Sequence, residues 1–212
     1  LNLKDYFIVK IVVLKFGGTS VGTIKKIKRV AKIIIEYKKK NYKVIVVSSA
    51  MSGVTNELIK KSFEISDSFS ESEHDVLVST GEQVACSLIA GRLIHEGYES
   101  RSWLSWQVPI FTKGKYKNSR INQINKRNII KYLKRGGIPI VTGFQGLNDE
   151  NRITTIGRGG SDASAIMIAK FFKAERCIIY TDVDGVYTTD PNKLKNAKKI
   201  KVISYEEMLE MA

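Results

Sequence analysis

Residue types that often reveal a protein's chemistry are scarce in this chain of 212 residues, which has two cysteines, two histidines, two tryptophans and three prolines. Cys86 and Cys177 fall in a helical and a strand pattern, where buried small hydrophobic side chains are expected. So little cysteine fits a reducing cytoplasm. With only His74 and His95, and without CxxC or HExxH spacing, the sequence predicts no dedicated zinc site.

Long hydrophobic runs are also missing. No stretch approaches the ~18 uninterrupted apolar residues of a membrane-spanning helix. Residues Leu1–Lys10 lack the basic, apolar and small-residue order of a secretory signal. The first residue is Leu1 rather than Met, which we interpret as an incomplete start or an alternative start codon. These absences predict a cytoplasmic protein without a membrane partner, and 43% hydrophobic residues are enough for one large domain or two small ones.

Acidic residues are outnumbered, with 21 Asp and Glu against 35 Lys and Arg, which gives a net charge of +14. Such an excess raises the question of nucleic-acid binding. The positive residues are mostly lysines spread over predicted helix surfaces, and no aromatic-rich basic segment such as RNP1 is present. The pattern therefore favours a solvated lysine-rich surface without a specific nucleic-acid partner. Part of the positive electrostatic field of this surface would still attract anionic substrates.

Strand and helix patterns alternate through most of the chain. We predict strands at 8–15, 43–49, 99–104, 138–142 and 177–181, and helices at 21–39, from about 55, at 73–96 with an interruption near 79–81, at 121–135, at 161–172 and at 204–211. Residues 109–118 are expected to form a loop or short hairpin, and 147–156 a hairpin. This order predicts an α/β fold, a three-layer α/β/α sandwich with a mostly parallel central sheet. Ligands in such folds bind at the carboxyl ends of the strands.

The first strand ends in a pair of glycines within the segment Lys15–Val21. Gly17 and Gly18 allow a tight turn and a close approach of the backbone to a ligand. Amide groups at a helix start beside such a turn bind anions, and Lys15 adds a positive charge, so the segment suits a phosphate group. Because the lysine precedes the glycines, this is not the GxxxxGK[ST] loop. The alternative is an ordinary strand-turn-helix with an exposed lysine.

Three glycines surround Arg158 in a second segment, Gly157–Asp162, which precedes a predicted helix. Because the neighbouring glycines have no side chains, the guanidinium group is accessible and suits bidentate binding of a carboxylate. Ser161 and Asp162 fall in the first helical turn, where a capping role is the alternative. That alternative is strong for Ser161, and for Asp162 the sequence does not choose between the two roles.

A third segment, Tyr180–Pro191, follows an apolar strand and carries acids, threonines and a turn-forming Gly and Pro. Tyr187 could stack on a base, so the segment is typical of a nucleotide-binding loop, and an Asp-rich turn is the alternative.

Three shorter segments also follow strands or interrupt a helical pattern: Ser48–Thr55, Ser79–Gln83 and Gly143–Gly146. The first and last bring small residues and backbone to a strand end. In the second, a Gly-Glu break costs helix stability and therefore indicates a purpose. Glu82 could pair with an ammonium group there, and a solvated helical glutamate is the alternative.

Together these segments resemble the catalytic domain of the aspartokinases, in the amino-acid-kinase superfamily. The matching segments are KFGGTSV at 15–21, SAMSGVTN at 49–56, the block at 79–83, GFQG at 143–146, GRGGSD at 157–162 and YTDVDGVYTTDP at 180–191. The resemblance covers nearly all of residues 1–212 and implies one amino-acid-kinase catalytic domain. It implies transfer of the ATP γ-phosphoryl group to the side-chain carboxylate of L-aspartate, giving 4-phospho-L-aspartate, the first step of lysine, threonine and methionine (diaminopimelate) biosynthesis.

The resemblance also implies roles for individual residues. Lys15 would neutralise the transferring phosphate, and Asp162 would orient the catalytic lysines. The substrate-binding residues would be Thr55, Glu82, Arg158, Gly159, Gly160 and Ser161. The nucleotide-binding residues would be Lys15, Phe16, Gly17, Gly18, Thr181, Asp182, Tyr187 and Asp190. Mg²⁺ would bridge the ATP phosphates, mostly through waters and phosphate oxygens, without a metal site made by the protein. A free aspartate side chain, with a pKa of ~3.9, is already ionised at pH 7 and needs no general base.

Two features depart from the family pattern. Asn192, with Lys193 beside it, stands where members often have Arg after the Asp-Pro of the nucleotide loop. The chain stops at Ala212, before a Gly-Ala-Lys segment, a last strand and the regulatory ACT domains, so we expect a C-terminally incomplete catalytic domain without allosteric inhibition by lysine or threonine.

Two other functions stay open: an inactive remnant that at most binds nucleotide or a partner, and a sister kinase of another acid such as glutamate or acetylglutamate. Formation of a homo-oligomer stays open as well.

Overall fold

Strands and helices alternate along the chain in the computed structural model, which describes residues 10–157, 159–181, 185, 188–189, 196–200, 203 and 207. The strands in these ranges are β1 (Ile11–Phe16), β2 (Lys43–Ser48), β3 (Ser100–Trp103), β4 (Ile110–Lys115), β5 (Asn118–Ile124), β6 (Ile138–Thr142), β7 (Gln145–Leu147), β8 (Ile153–Thr155) and β9 (Arg176–Tyr180). The helices are α1 (Gly18–Val21), α2 (Ile24–Lys39), α3 (Val54–Ile65), α4 (Glu71–His95), α5 (Arg127–Lys134) and α6 (Gly160–Phe172).

The central sheet has five strands in the order β3-β6-β2-β1-β9, and every neighbouring pair is parallel. Alternate residues of a strand point to opposite faces of the sheet. In β1, Val12 and Leu14 pack with residues of α2 and α4, whereas Val13 packs with residues of α5 and α6 on the other face. The predicted α/β fold, with helices on both sides of a parallel sheet, is thereby confirmed.

The amphipathic helix α2 covers one face of the sheet. Its buried side chains recur at helical spacing, and they are Ile27, Val30, Ala31 and Ile34. Thr23 caps the helix, since its hydroxyl oxygen accepts a hydrogen bond from the amide of Lys26 at 3.3 Å. The helix predicted at 21–39 is confirmed from Ile24 onward as α2, whereas Val21 ends the separate short helix α1.

A second sheet of four strands, in the order β5-β4-β7-β8, stands beside the first. It joins two antiparallel hairpins, β4–β5 and β7–β8. The hairpin predicted at 147–156 is confirmed, but the helix predicted at 121–135 is wrong over its first residues. Ile121 and Ile124 have the i, i+3 spacing of a helix, yet β4 offers hydrogen-bonding partners that make this segment a strand, and α5 begins only at Arg127.

The long helix α4 runs without a break from Glu71 to His95, so the interruption predicted near 79–81 is wrong. Gly81 is there for another reason. A Cβ atom at this position would lie 2.8 Å from the Cβ of Ala50, which is closer than packed carbon atoms approach. Gly81 therefore lets the loop after β2 lie directly against the helix.

Cys86 is buried in the core between the central sheet and the helices α2 and α4, as the sequence predicts. Cys177 is only partly buried and packs against the core on the other face of the sheet. The helix predicted at 204–211 lies, except for Glu207, outside the described residues. Of the helices in the described part of the chain, none combines the length and the apolar character needed to cross a membrane.

Candidate active site

A cavity of about 300 Å³ opens at the carboxyl ends of β1 and β2. Five of the six sequence segments singled out above contribute to its walls. The lining residues are Lys15, Gly18, Ser49, Ala50, Met51, Ser52, Gly53, Thr55, Glu82, Phe144, Gly157, Gly159, Gly160, Ser161 and Asp162. The parallel sheet explains part of this meeting, because β1, β2 and β6 bring the segments at their carboxyl ends to one rim. Glu82 comes instead from α4, and the glycine segment follows β8 of the second sheet.

Among the described residues that line the cavity, Lys15 is the one that carries a positive charge. It lies near the end of β1, it is only 6% exposed, and its Nζ is 2.6 Å from Oδ1 of Asp162 in the first turn of α6. The ion pair offsets part of the cost of burying an ammonium group, and a carboxylate is favourable at a helix N-terminus. The alternative of an exposed lysine is therefore excluded, and Lys15 is held as a fixed cation beside the start of α6.

Glu82 is a buried carboxylate on another wall of the cavity, with 3% exposure. Its Oε1 accepts a hydrogen bond from the amide of Ala50 at 2.9 Å, and its Oε2 has no hydrogen-bond partner among the described residues. Burial raises the pKa of Glu82 from 4.5 to about 7, against the smaller lowering effect of the Ala50 amide. A partly free, buried carboxylate that lines a cavity is suited to a cationic group of a ligand.

The glycine segment before α6 forms a further wall. Gly159 is the N-cap of α6 and has a φ of +74°, in the left-handed region that non-glycine residues occupy at a cost. Ser161 and Asp162 lie within the first turn, so neither of them is the N-cap residue. Both side chains are thereby left for other contacts, and both residues line the cavity.

Residues 10–212 match the family model described as the amino acid kinase family. This chain belongs to the amino acid kinase family. It is 50% identical over 202 residues to an aspartokinase of Geobacillus stearothermophilus, and 47% identical over 202 residues to aspartokinase 2 of Bacillus subtilis. Each alignment covers 95% of this chain and 50% of the relative, so the chain spans about half the length of these curated relatives.

Solved aspartokinases have the same fold as this amino acid kinase family member. The structure of Escherichia coli aspartokinase III in complex with aspartate and ADP is 28% identical, with a TM-score of 0.77, over 90% of this chain and 53% of that chain. Aspartate kinase from Synechocystis is 39% identical, with a TM-score of 0.76, over 94% of this chain and 33% of that chain.

The residues that the sequence assigns to the acid substrate are largely brought together in this family member. Thr55, at the second position of α3, lines the cavity with Glu82, Gly159, Gly160 and Ser161. Arg158 lies outside the described residues. Residues 49–53 and Phe144 also line the cavity. The sequence singled out the segments that contain them but predicted no site role for any of these residues.

The residues assigned to the nucleotide are divided between two places. Lys15 and Gly18 line the main cavity, whereas the side chain of Phe16 is buried on the opposite face, stacked on Tyr180 with ring centroids 4.8 Å apart. Phe16 and Thr181 line a second cavity of about 290 Å³. The amide of Gly17 donates to the carbonyl of Tyr180 at 3.1 Å. The remaining assigned residues, which lie outside the described ranges, are Asp182, Tyr187 and Asp190.

Protein ligands for a metal ion are sparse in this family member. Within the described ranges, no group of three or more His, Cys, Asp and Glu side chains is placed to hold a metal ion. In the main cavity the carboxylates are those of Glu82 and Asp162, and Asp162 is already paired with Lys15. Such a donor set does not form a protein cage for Mg²⁺, which binds through a few oxygen ligands and keeps several waters.

Proposed function

We propose that this chain catalyses the ATP-dependent phosphorylation of the side-chain carboxylate of L-aspartate to give 4-phospho-L-aspartate. The observation that carries the proposal is one cavity with two buried charges of opposite sign, Lys15 and the carboxylate of Glu82. Its walls are the segments that resemble the aspartokinases. Escherichia coli aspartokinase III, which has this fold, is known in complex with aspartate and ADP.

Of the two charges, Glu82 matches the ammonium group of the proposed substrate, and Lys15 matches the phosphate that is transferred to it. The free Oε2 of Glu82 would accept hydrogen bonds from the α-ammonium group of aspartate. Arg158, within the glycine segment, would bind a carboxylate through its planar guanidinium group. Thr55 and Ser161, with the backbone of Gly159 and Gly160, would complete the pocket.

Lys15 would act on the phosphate. The nucleophile is an anion that attacks a polyanion, so the barrier comes largely from charge repulsion, and a fixed cation is the group that lowers it. Asp162 would hold the ammonium group of Lys15 in place through the ion pair at 2.6 Å. The reaction needs no general base, since a carboxylate with a pKa of ~3.9 is ionised at pH 7.

The nucleotide would lie beside Lys15 at the carboxyl edge of β1 and β9. Gly18 is the glycine of the first turn that lines the main cavity, so its backbone would approach the phosphates, with Gly17 and Phe16 shaping the turn behind it. The loop after β9 would contribute Thr181, Asp182, Tyr187 and Asp190. Mg²⁺ would enter with ATP, held mainly by phosphate oxygens and water. The product would feed lysine, threonine and methionine biosynthesis.

A coupled assay of ATP consumption with L-aspartate, with glutamate and acetylglutamate as competing acceptors, tests the proposal. We expect turnover with aspartate that is faster than with either competitor. Trapping the acyl phosphate with hydroxylamine would show that a carboxylate is the acceptor. A folded protein that consumes ATP with none of these acids, or that prefers glutamate, would contradict the proposal.

A further inference from the structure

Asp75 is a fully buried carboxylate on α4, outside the cavity, and it accepts hydrogen bonds from the end of β8 and from the β4–β5 turn. Its Oδ2 accepts from the amide of Thr155 at 2.7 Å and from the amide of Lys117 at 2.9 Å. Its Oδ1 accepts from the hydroxyl of Thr155 at 2.8 Å. Burying a carboxylate is costly unless its hydrogen bonds are satisfied, so these contacts fix the end of β8 and the β4–β5 turn against α4.

Thr155 is the last residue of β8, two positions before the glycine segment that begins at Gly157. The next residue, Ile156, donates from its amide to the carbonyl of Phe144 at 2.9 Å. The carbonyl of Gly157 in turn accepts from the amide of Gly160 at 2.9 Å. A short chain of fixed contacts therefore leads from Asp75 to the wall of the cavity.

Lys117, the second contact of Asp75, lies at the tip of the β4–β5 hairpin. The next residue, Asn118, lies against the glycine segment, since a Cβ atom on Gly157 would be 2.7 Å from its Oδ1. The hydroxyl of Ser119 donates to the carbonyl of Thr155 at 2.9 Å. Asp75 thus fixes both the start of the glycine segment and the hairpin that supports it from behind.

Asp75 and Glu82 lie on the same side of helix α4. The two residues are seven positions apart on one uninterrupted helix, which places them on the same side, about 10 Å apart along the axis. Glu82 is tied to the loop after β2 through the amide of Ala50. One rigid helix therefore fixes the separation between the proposed ammonium-binding carboxylate and the glycine wall.

We propose that Asp75 is a positioning residue that sets the span of the acid-binding pocket by holding Thr155 and Lys117 against α4. The inference rests on the proposed function insofar as the ligand is an amino acid that reaches from Glu82 to the glycine segment. Loosening this attachment should weaken binding of aspartate without changing the contacts of ATP. It should also reduce discrimination against glutamate, which is longer by one methylene group.

The test compares Asp75→Asn, which loses one acceptor oxygen, with Thr155→Val, which loses the hydroxyl donor, and Thr155→Ser, which keeps it. Ser100→Ala is the control, because it removes another buried hydrogen bond, from the Ser100 hydroxyl to the carbonyl of Ile138, in β3. In steady-state kinetics we expect Asp75→Asn to raise KM for aspartate about tenfold, with KM for ATP within about twofold. Thr155→Val should show a smaller rise, whereas Thr155→Ser and Ser100→Ala should resemble wild type.

Hydrogen exchange measured on residues 153–162 of the same proteins separates this inference from the proposed function. Asp75→Asn should speed exchange in this segment, and Ser100→Ala should not. If wild type neither binds nor phosphorylates aspartate, the proposed function is wrong, yet faster exchange still supports the positioning role. Unchanged exchange and unchanged KM for aspartate in folded Asp75→Asn would overturn the inference. If that variant does not fold, the same comparison between Thr155→Val and Thr155→Ser decides it.

Discussion

Replacing Glu82 by Gln tests the buried carboxylate of the cavity through both stability and substrate binding. Gln keeps the size of the side chain and an oxygen that can accept the hydrogen bond from Ala50, but it carries no charge and does not titrate. Differences between the two proteins that vary with pH near neutrality therefore report on Glu82 itself.

The expected stability effect follows from the raised pKa of Glu82, about 7 against an ordinary value of 4.5. Between these values the folded protein holds a proton that the unfolded chain has released, so the stability contributed by protonated Glu82 is complete below about pH 4.5 and is lost as the pH rises through 7. The loss amounts to about 3 kcal/mol. The free energy of unfolding of Glu82→Gln, relative to wild type, should therefore increase by about 3 kcal/mol between pH 4.5 and pH 8.

Binding of aspartate to the wild-type protein should strengthen as the pH rises, whereas the stability contributed by Glu82 falls. An ammonium group binds the ionised form of Glu82, so the wild-type KM for aspartate should fall as the pH rises from 6 to 8. A hydrogen bond between charged groups contributes about 1.5–3 kcal/mol, so Glu82→Gln should raise KM at pH 8 by roughly tenfold to a hundredfold and remove the pH dependence.

Urea unfolding followed by tryptophan fluorescence, together with steady-state kinetics at several pH values, measures both effects. The other carboxylates are shared by the two proteins, so their titration cancels in the difference. A stability difference that is constant from pH 4.5 to 8 would show that Glu82 does not titrate as a buried group. A KM for aspartate equal to that of wild type at pH 8 would show that it does not bind the ammonium group.

Two further substitutions separate chemistry from packing. Lys15→Met should lower kcat at least about a hundredfold, because it removes the fixed cation next to Asp162. Circular dichroism should show that the variant still folds. If the variant kept wild-type kcat, Lys15 would have no role in the mechanism. Gly81→Ala should destabilise the protein by about 1–3 kcal/mol in urea unfolding, because the added Cβ would lie 2.8 Å from that of Ala50. Gly91→Ala, in the same helix with no atom within 4 Å of the added Cβ, is the matched control and should instead stabilise it by about 0.5–1 kcal/mol.

The parallel sheet and its rim were predictable because they depend on local patterns. The buried strands read as apolar runs bounded by glycine and polar residues, and parallel strands place the segments after them on one edge. The second sheet was only partly predictable. Ile121 and Ile124 fit a helix as well as a strand in so short a window, and the hydrogen-bonding partner that decides between them, β4, is supplied by the tertiary fold.

Gly81 and Glu82 show a different limit. The sequence marks the pair as unusual within a helical pattern, but the residue that explains Gly81 lies 31 positions earlier, at Ala50. The same loop gives Glu82 its hydrogen bond, and burial behind it raises the pKa of the carboxylate. A helix break and a close packing contact leave the same trace in a sequence, and only the position of the second segment distinguishes them.

The segment that begins at Lys15 shows why residues adjacent in a motif need not act in the same place. Successive side chains of a strand point to opposite faces, so Lys15 faces the cavity and Asp162, whereas Phe16 stacks on Tyr180 in the core. The amide of Gly17 ties the turn to β9, and Gly18 returns to the cavity. A motif that suggests a single phosphate-binding turn therefore contributes residues to two different places in the structure. The lysine and the second glycine line the cavity, and the residues between them hold β1 to β9 so that the lysine keeps its position.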